Sequence, residues 1–179
     1  MKTKDCPKLI AIASVSGGGK TTAVRNVTNQ LPNAKALYFD DYDFNGPEDL
    51  LQWMERGADY NEWNLDPMLT DIKRLLADSL DFIVLDFPFA RLHHESSPYI
   101  DYTVFIDTPL DIALARRIIR DFAESSSDEI LADAGWYADK GRAAYLQMLE
   151  DVKPDSDLIV DGSRSREEVC TTILLQLPY

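Results

Sequence analysis

The chain has 179 residues, of which 45% are hydrophobic and 27% are charged, a composition typical of one soluble globular domain. Lysine and arginine number 18 against 31 aspartate and glutamate residues, and the net charge of -13 argues against a general binder of nucleic acid or membrane surfaces. This charge does not exclude an anionic ligand. Charge is screened over about 8 Å in physiological salt, so a local cationic cluster can still hold phosphate.

The two cysteines, Cys6 and Cys170, form no CxxC motif, which predicts a reducing cytoplasm. No apolar run of the sequence approaches the roughly 18 residues of a membrane helix. Residues 1–7 resemble a secretory leader only faintly, because the apolar run that follows passes into glycines and Lys20 and not into a cleavage site. We therefore expect a mature cytoplasmic chain that acts as a monomer or a homodimer.

Five short apolar runs predict five strands, at residues 9–13, 36–39, 82–85, 103–106 and 158–160. None of the runs alternates apolar with polar residues, which is typical of strands buried on both faces. Segments with helical periodicity lie between them. This alternation predicts an open α/β domain, with a parallel sheet covered by helices and right-handed crossovers, that takes up residues 1–179 as a single domain.

Helix start signals precede several of the periodic segments. Pro47 is expected to open a short helix, and Asp66 is expected to be the N-cap of the next one. Thr108 and Ser165 each begin a capping-box-like sequence. The polar stretch 124–128 predicts a mobile turn between two helices.

Four of the five apolar runs end at an aspartate, namely Asp40, Asp86, Asp107 and Asp161, and the first run ends at Ser14. In open α/β sheets the ligand lies beyond the carboxyl ends of the strands. Asp107 and Asp161 come just before helices, so we expect them to cap a helix or brace a loop. Asp40 and Asp86 remain as candidates for chemistry.

A glycine-rich segment at residues 14–22 joins the first strand to the first helix. In the phosphate-binding pattern G-x-x-x-x-G-K-[ST], Gly19, Lys20 and Thr21 fit, whereas Ser14 stands at the leading glycine. Backbone N–H groups of such a turn and the helix N-terminus can surround a phosphate, and the lysine can reach the β- and γ-phosphates. The candidate nucleotide-binding residues of this loop are Ser16, Gly17, Gly18, Gly19, Lys20, Thr21 and Thr22.

Ser14 is the weak point of this match. A left-handed conformation at a residue other than glycine costs about 1–2 kcal/mol. Either this position does not need the left-handed conformation, or the first turn of the loop differs slightly from that of loops with a leading glycine. An ordinary glycine-rich turn between a strand and a helix is the alternative interpretation.

Phosphoryl transfer needs Mg²⁺, a group that orients the acceptor hydroxyl, and cations for the moving charge. Asp40 is our candidate for the group that orients the acceptor hydroxyl, and Asp41 and Asp43 in the same segment are the alternatives. Asp86 ends its strand as a Walker-B-type carboxylate would, and Thr21 offers a hydroxyl to Mg²⁺. Thr21, Asp86 and Asp40 are the predicted metal-associated residues.

Three arginines, Arg116, Arg117 and Arg120, follow the fourth predicted strand on one helix. Beside a phosphate loop they are typical of a lid, here expected at about residues 116–140. The alternative is a solvated helix surface on which Arg117 pairs with Asp121 at i,i+4.

Histidines and aromatic residues give less specific signals. His93 and His94 form no zinc-binding set, and we interpret them as surface loop residues. Trp53, Tyr60 and Trp63 are expected in the core, or with one of them stacked on a substrate ring.

The sequence resembles the uridine kinase family of P-loop kinases in residues 10–22, in residues 40–42 and above all in residues 103–121. The run I-D-T-P-L-D…A-R-R-I-x-R-D is the most specific part of this likeness. The resemblance implies a three-layer, adenylate-kinase-like P-loop fold with a five-stranded parallel sheet. It also implies ATP as donor, Mg²⁺, and transfer of the γ-phosphoryl group to a hydroxyl of a small molecule.

The family's residues match this chain position by position. Lys20 and Thr21 match the phosphate and Mg²⁺ residues, Asp40 the general base, and Asp86 a metal-associated carboxylate. The three arginines match those of the lid, with Lys20, Asp40, Arg116 and Arg120 as the expected catalytic residues and Arg117 as a nucleotide contact. Gly162 and Ser163 fall where such folds pass close to adenine.

One departure concerns the acceptor. Uridine kinases carry a hairpin before the third strand, with Tyr-Asp-Phe and His-Ser-Arg elements that grip the nucleoside, and this chain has no room for it. The acceptor could be a nucleoside, a sugar acid, a vitamin precursor or a nucleotide. A nucleotide acceptor would need further cations, for which the available residues are Arg56, Arg91, His93 and His94.

Two alternatives from other classes stay open on the sequence alone. One is a nucleotide-binding regulator that uses ATP as a switch without small-molecule kinase activity. The other is a P-loop relic without activity.

Overall fold

A computed structural model of the protein describes residues 6–178. Each of the five predicted apolar runs forms a strand. The strands are β1 (Lys8–Ala13), β2 (Ala34–Tyr38), β3 (Phe82–Asp86), β4 (Tyr102–Asp107) and β5 (Leu158–Asp161). The expectation about an N-terminal leader concerns residues 1–7, of which residues 1–5 lie outside the described part.

Seven α-helices connect or follow these strands in the described part of the chain. They are α1 (Lys20–Gln30), α2 (Leu50–Glu55), α3 (Asp66–Ala77), α4 (Leu110–Asp121), α5 (Ser127–Trp136), α6 (Arg142–Asp151) and α7 (Arg166–Gln176). A π-helical turn, Tyr137–Gly141, links α5 to α6. From residue 6 to residue 178, no helix combines the length and the apolarity needed to cross a bilayer.

The sheet is parallel throughout, with the strand order β2-β3-β1-β4-β5. The central strand β1 is fully buried from Leu9 to Ala13. Its alternate residues enter two different apolar clusters, Leu9 and Ala11 on one face of the sheet and Ile10 and Ile12 on the other. Burial on both faces explains why the strand sequences do not alternate. The predicted three-layer α/β architecture is confirmed.

The helix starts differ from the predicted ones in detail. Helix α2 begins at Leu50, where the Asp49 side chain accepts hydrogen bonds from two backbone N–H groups, so the prediction that Pro47 opens it was wrong. Asp66 is the first helical residue of α3 and not its N-cap, because Asn64 accepts its backbone N–H at 2.9 Å. Ser165 forms the predicted capping box with Glu168.

The polar stretch 124–128 is in part a helix start. Ser126 and Glu129 form a reciprocal capping box at the beginning of α5, which the sequence analysis did not anticipate. The serine hydroxyl and the glutamate carboxylate satisfy N–H groups that a helix start leaves unpaired. A capped helix therefore begins inside the segment that was interpreted as a turn.

The connection from α3 to β3 consists of residues 78–81. This short link confirms that there is no room for a hairpin between α3 and β3.

Candidate active site

The phosphate loop runs from the end of β1 to Lys20, the first residue of α1. Its positive φ angles are at Gly17 (79°) and Gly19 (100°), while Ser14 is not among the residues with positive φ. The buried Ser14 hydroxyl donates to the Val15 carbonyl at 3.0 Å. The serine therefore carries no left-handed strain, and the loop adopts its turn through the glycines that follow.

Neighbouring segments pack closely against this loop. A Cβ atom on Gly17 would overlap the Ala113 carbonyl oxygen of α4, and one on Gly18 would come within 2.8 Å of the Ser14 Cβ. The Thr108 hydroxyl donates to the Gly18 carbonyl at 2.8 Å. Thr108 therefore braces the loop and makes no side-chain cap on α4, so the capping-box prediction at this residue was wrong.

Lys20 lies at the bottom of the site, where its ammonium group forms an ion pair with Asp86 at the end of β3. The lysine side chain is 14% exposed and that of the aspartate 2%. Burial lowers the pKa of Lys20 to about 8, with Asp40 opposing this effect and Arg120 adding to it. Lys20 therefore lines the cavity described below and at the same time pairs with Asp86.

Asp40 stands in a short 3₁₀ turn, Phe39–Asp41, directly after β2. Of the three aspartates in this segment, Asp40 lines the cavity, while the described positions of Asp41 and Asp43 lie outside its lining. The turn is anchored by the neighbouring Tyr42, whose hydroxyl donates to Asp71 at 2.9 Å. The anchored turn keeps Asp40 at the cavity that the phosphate loop also lines, near enough to Lys20 to raise the pKa of that lysine.

The three arginines of α4 have different surroundings. Arg116 donates to the Gly162 carbonyl at 3.0 Å, and Arg120 pairs with Asp121 at 2.6 Å. Both arginines line the cavity. Arg117 lies outside the lining of the cavity.

Arg117 makes a two-pronged ion pair with Asp133 of α5, with nitrogen–oxygen distances of 3.1 and 2.5 Å. The alternative pairing of Arg117 with Asp121 was wrong, because Asp121 binds Arg120. In this structure Arg117 joins two helices of the lid region, and a direct contact with nucleotide stays a prediction.

The cavity has a volume of 1280 Å³ and connects these groups. All of residues 14–23 line it, together with Asp40, Gly162 and side chains from α4, α6 and the start of α7. Among the described residues its cationic side chains are Lys20, Arg116, Arg120, Arg164 and Arg166, and its acidic ones are Asp40 and Asp121. A local cationic site is therefore present in a chain of net charge -13.

The aspartates after β4 and β5 brace the framework of the site. Asp107 pairs with Lys153 at 2.6 Å. Asp161 accepts hydrogen bonds from the backbone N–H of Ser163 at 2.9 Å and from its hydroxyl at 2.5 Å. Ser163 lies beside the cavity and outside its lining, whereas Gly162 belongs to the lining. The bracing roles predicted for the two aspartates agree with these contacts.

His93 is a buried residue and not the surface loop residue that was predicted. It is 2% exposed, and its Nε2 atom lies 3.0 Å from the Trp63 carbonyl oxygen. His94, its neighbour, is exposed as expected. Trp53 and Tyr60 belong to the core, as predicted, and Trp63 packs against it.

Several lining residues were missed by the sequence analysis. They are Phe39, Pro88, Ile119, Met148, Arg164, Arg166 and Val169. Phe39 precedes the predicted Asp40, and Arg164 and Arg166 follow the predicted Ser163, so position along the chain could have indicated these three. Met148 on α6 carries no local signal, since only the packing of the helix brings it to the cavity.

Three residues, Thr21, Asp86 and Asp40, were predicted to associate with a metal ion. Thr21 and Asp40 both line the cavity, and Asp86 pairs with Lys20. Within residues 6–178 no group of three or more His, Cys, Asp or Glu side chains could enclose a metal ion. This arrangement fits Mg²⁺, which keeps several waters and is held by one or two protein oxygens together with substrate phosphates.

Sequence comparison finds uridine kinases. The chain is 43% identical over 70 residues to a uridine kinase of Psychromonas ingrahamii, covering 37% of this chain and 32% of that enzyme. It is 29% identical over 190 residues to one of Lactiplantibacillus plantarum, covering 90% of each chain. The first match therefore spans about a third of its relative, while the second spans most of it. No family model matches the chain.

Comparison of structures finds kinases as well. A sugar kinase of Janibacter sp. HTCC2649 has a TM-score of 0.56 at 18% identity, with 96% of this chain and 94% of that one covered. A deoxyadenosine kinase of M. mycoides has a TM-score of 0.55 at 15% identity, covering 94% and 98%. At these identities the likeness establishes the fold alone, which is that of the adenylate-kinase-like P-loop kinases.

The protein is thus a P-loop kinase in fold. In sequence it is similar to uridine kinases, as the motifs in residues 10–22, 40–42 and 103–121 predict. The two relatives and the two structural neighbours named above are kinases, and this supports the predicted class of ATP-dependent phosphotransferases.

Proposed function

We propose that the protein transfers the γ-phosphoryl group of ATP to a hydroxyl group of a small molecule. One observation carries this proposal. A single cavity of 1280 Å³ is lined by the phosphate loop and Lys20 and also by Asp40, Arg116 and Arg120. A donor phosphate and an acceptor hydroxyl can meet in such a space, which is the arrangement that in-line transfer requires.

Each group has a role that follows from its position. The N–H groups of residues 16–19 and the N-terminus of α1 would hold the β- and γ-phosphates. Lys20, Arg116 and Arg120 would neutralise the charge that develops on the transferred group. Asp40 would accept or orient the proton of the acceptor hydroxyl. Gly162, and Ser163 beside it, would lie near the adenine ring.

Mg²⁺ is part of this proposal. The residues that would hold it are Thr21, through its hydroxyl, and Asp86 and Asp40, through carboxylate oxygens. The ion would supply positive charge that offsets the charge of the donor phosphates. Asp86 pairs with Lys20 in this structure. The same carboxylate therefore keeps the ammonium group at the base of the loop.

The acceptor that fits best is a molecule without its own phosphate. The four residues that could have bound a phosphorylated acceptor have other surroundings. Arg56 pairs with Glu62 at 2.9 Å, Arg91 with Asp157 at 2.7 Å, and His93 is buried against Trp63. His94 alone of the four is exposed without an ion pair among the described residues. Arg164 and Arg166 also line the cavity, but they follow Gly162, on the side proposed for the adenine of the donor. A nucleoside, a sugar, a sugar acid or a vitamin precursor remains, while a nucleotide is disfavoured.

The surroundings of the protein belong to the same proposal. Cys6 and Cys170 are free cysteines, which fits a reducing compartment such as the cytoplasm. We expect small molecules and not nucleic acid as its partners, and a monomer or a homodimer as its active form.

An acceptor panel tests the function. The protein is incubated with ATP, Mg²⁺ and, in turn, uridine, deoxyadenosine, sugars and sugar acids, and ADP release is measured. We expect one class of acceptor to raise ADP release at least about 100-fold above the rate without acceptor. A slow ATP hydrolysis that no acceptor changes, together with a change of shape on ATP binding, would instead support a nucleotide switch. Failure to bind MgATP would support an inactive relic.

A further inference from the structure

The ion pair between Arg117 and Asp133 is the contact that secures helix α5. None of the residues of α5 is buried, and none belongs to an apolar cluster of the described part of the chain. Leu131 and Trp136 of this helix are 70% and 50% exposed. Between residues 6 and 178, the pair with Arg117 is the only side-chain hydrogen bond or ion pair that connects α5 to another helix or strand. Because apolar packing contributes little, the position of α5 depends on this pair.

The Arg117 side chain begins beside the phosphate loop. A Cβ atom placed on Gly17 would come within 3.2 Å of the Arg117 Cβ and would overlap the Ala113 carbonyl oxygen. Ala113 and Arg117 are an i,i+4 pair on α4 and therefore lie on the same face of that helix. Ala113 also belongs to a small apolar cluster with Val15 of the loop and Tyr145 of α6. The face of α4 that carries Arg117 is therefore the face that packs against the loop.

The two charges of the pair are largely removed from water. The side chains of Arg117 and Asp133 are 13% and 16% exposed, and the carboxylate accepts from both terminal nitrogens of the guanidinium. The remaining donor atom, Nε, is buried without a hydrogen-bond partner in the described part of the chain. Without Asp133 the guanidinium would be a buried charge with no compensation. It would have to turn toward water, which would move the side chain that begins beside Gly17.

We propose that Arg117 is a positioning residue, which together with Asp133 fixes helix α5 against α4 and thereby keeps the phosphate loop in its nucleotide-binding conformation. Arg117 lies outside the lining of the cavity, so its effect on a nucleotide passes through Gly17 and the loop. A loop held in its binding conformation loses less conformational entropy when the nucleotide arrives. This inference rests on the proposed function, since it presumes that the loop binds a nucleotide.

The test measures binding and therefore needs no acceptor. The dissociation constant of MgADP is determined by calorimetry for the wild type, Asp133→Asn, Arg117→Met and the double variant. We expect each single change to raise this constant about 3- to 10-fold, the effect of losing one hydrogen bond from the support of the loop. The double variant should bind no more weakly than the weaker single variant, because both changes remove the same pair and the double variant leaves no buried unpaired charge.

Asp133→Asn distinguishes positioning from direct contact between Arg117 and the nucleotide. An arginine that reached the phosphates itself would be released by the loss of Asp133, so MgADP would then bind equally or more tightly. Positioning requires weaker binding instead, and Asp133→Glu, which retains the carboxylate, should recover most of the lost affinity.

Asp139→Asn is the matched control. It removes the same charge from an exposed side chain of the π-helical turn that has no ion pair among the described residues, and it should bind MgADP as the wild type does. A loss of affinity equal to that of Asp133→Asn would show that net charge and not the ion pair is responsible, and would overturn the inference.

Hydrogen–deuterium exchange gives a second measurement, which needs neither nucleotide nor Asp133→Asn. In the free protein, the backbone amides of α5 should exchange about 3- to 10-fold faster in Arg117→Met than in the wild type, because the helix loses the contact that holds it. The amides of the buried strand β1 should exchange at the wild-type rate.

The outcomes separate the two proposals. Wild-type protein that does not bind MgADP overturns the proposed function and this inference with it. Where the wild type binds MgADP, three results each overturn the positioning role alone: unchanged or tighter binding by Asp133→Asn, additive losses in the double variant, or equal exchange of α5 in Arg117→Met and the wild type.

Discussion

At the scale of single residues, Lys20 illustrates how burial and charge act on one group. Its ammonium group is largely removed from water and contacts the carboxylate of Asp86, while the charges of Asp40 and Arg120 also act on it. The burial lowers its pKa to about 8, so the protonated form is less favoured than on an exposed lysine. The site therefore keeps a cation whose charge depends on pH within an accessible range.

The lowered pKa of Lys20 predicts the pH dependence of nucleotide binding. The ammonium group loses its proton as the pH rises through about 8, so the association constant for MgADP should fall above that pH by about tenfold per pH unit. Calorimetry between pH 6.5 and 9.5 measures it. Lys20→Arg should bind with little change over this range, because guanidinium stays charged. An affinity of the wild type that stays constant to pH 9.5 would contradict this role of the lysine.

Asp40 should affect turnover much more than nucleotide affinity. Replacing it by asparagine retains its size but removes the group that accepts the hydroxyl proton, and such groups contribute about 10²- to 10⁴-fold to rate. We expect Asp40→Asn to lower kcat at least about 100-fold. The affinity for MgATP should fall by a much smaller factor, because Thr21 and Asp86 would still hold the ion. Asp43→Asn, in the same segment but outside the cavity lining, is the matched control. Equal kcat in Asp40→Asn and the wild type would remove Asp40 from the mechanism.

At the scale of elements, the loop and helix α4 form one structural unit. The backbone of Ala113 fills the space beside Gly17, and Thr108 at the approach to α4 binds the Gly18 carbonyl. The arginines of α4 are consequently fixed relative to the phosphate loop by backbone contacts. This coupling explains why the most family-like run, residues 103–121, comprises both β4 and the start of the predicted lid.

Gly17 should therefore be the least replaceable glycine of the loop. Gly17→Ala places a Cβ atom against the Ala113 carbonyl at a φ of 79°, and we expect it to lower the free energy of unfolding by at least about 2 kcal/mol and to weaken MgADP binding. Gly135→Ala in α5 is the control, because open space surrounds that position and alanine should stabilise the helix by about 0.5–1 kcal/mol. Urea unfolding measures both, and equal stability of the two variants would refute the close packing.

At the scale of the whole molecule, the sequence predicts the sheet more fully than the site. Strands buried on both faces have uninterrupted apolar runs, so all five were visible, and the glycine-rich loop marked the end of β1. The hydrogen bonds at helix starts were predicted less well. The Thr108 hydroxyl binds the Gly18 carbonyl and does not cap α4, and the Asn64 side chain accepts the backbone N–H of Asp66, which is not the N-cap of α3. A hydroxyl or amide has several partners within reach, and only tertiary packing selects one of them.

The burial of His93 and the position of Tyr145 had no signal in the sequence. A histidine after a strand is usually exposed, and this one is buried because the segment after β3 folds back over Trp63. Tyr145 reaches the phosphate loop because helices α4 to α6 return across it, which depends on contacts between residues about 130 positions apart along the chain. Contacts of this range bring the helices α4 to α6 to the site, while the local sequence determines the phosphate loop itself.

The proposed transfer requires that donor and acceptor bind together in the one cavity that the phosphate loop and Asp40 both line. The test follows the γ-phosphoryl group of ³²P-labelled ATP. Wild-type protein and Asp40→Asn are each incubated with labelled MgATP and each member of the acceptor panel. We predict that the label appears in an organic phosphate for one class of acceptor, and that Asp40→Asn forms it at least about 100 times more slowly. Label that appears only as inorganic phosphate, at a rate that no acceptor alters, would contradict the account.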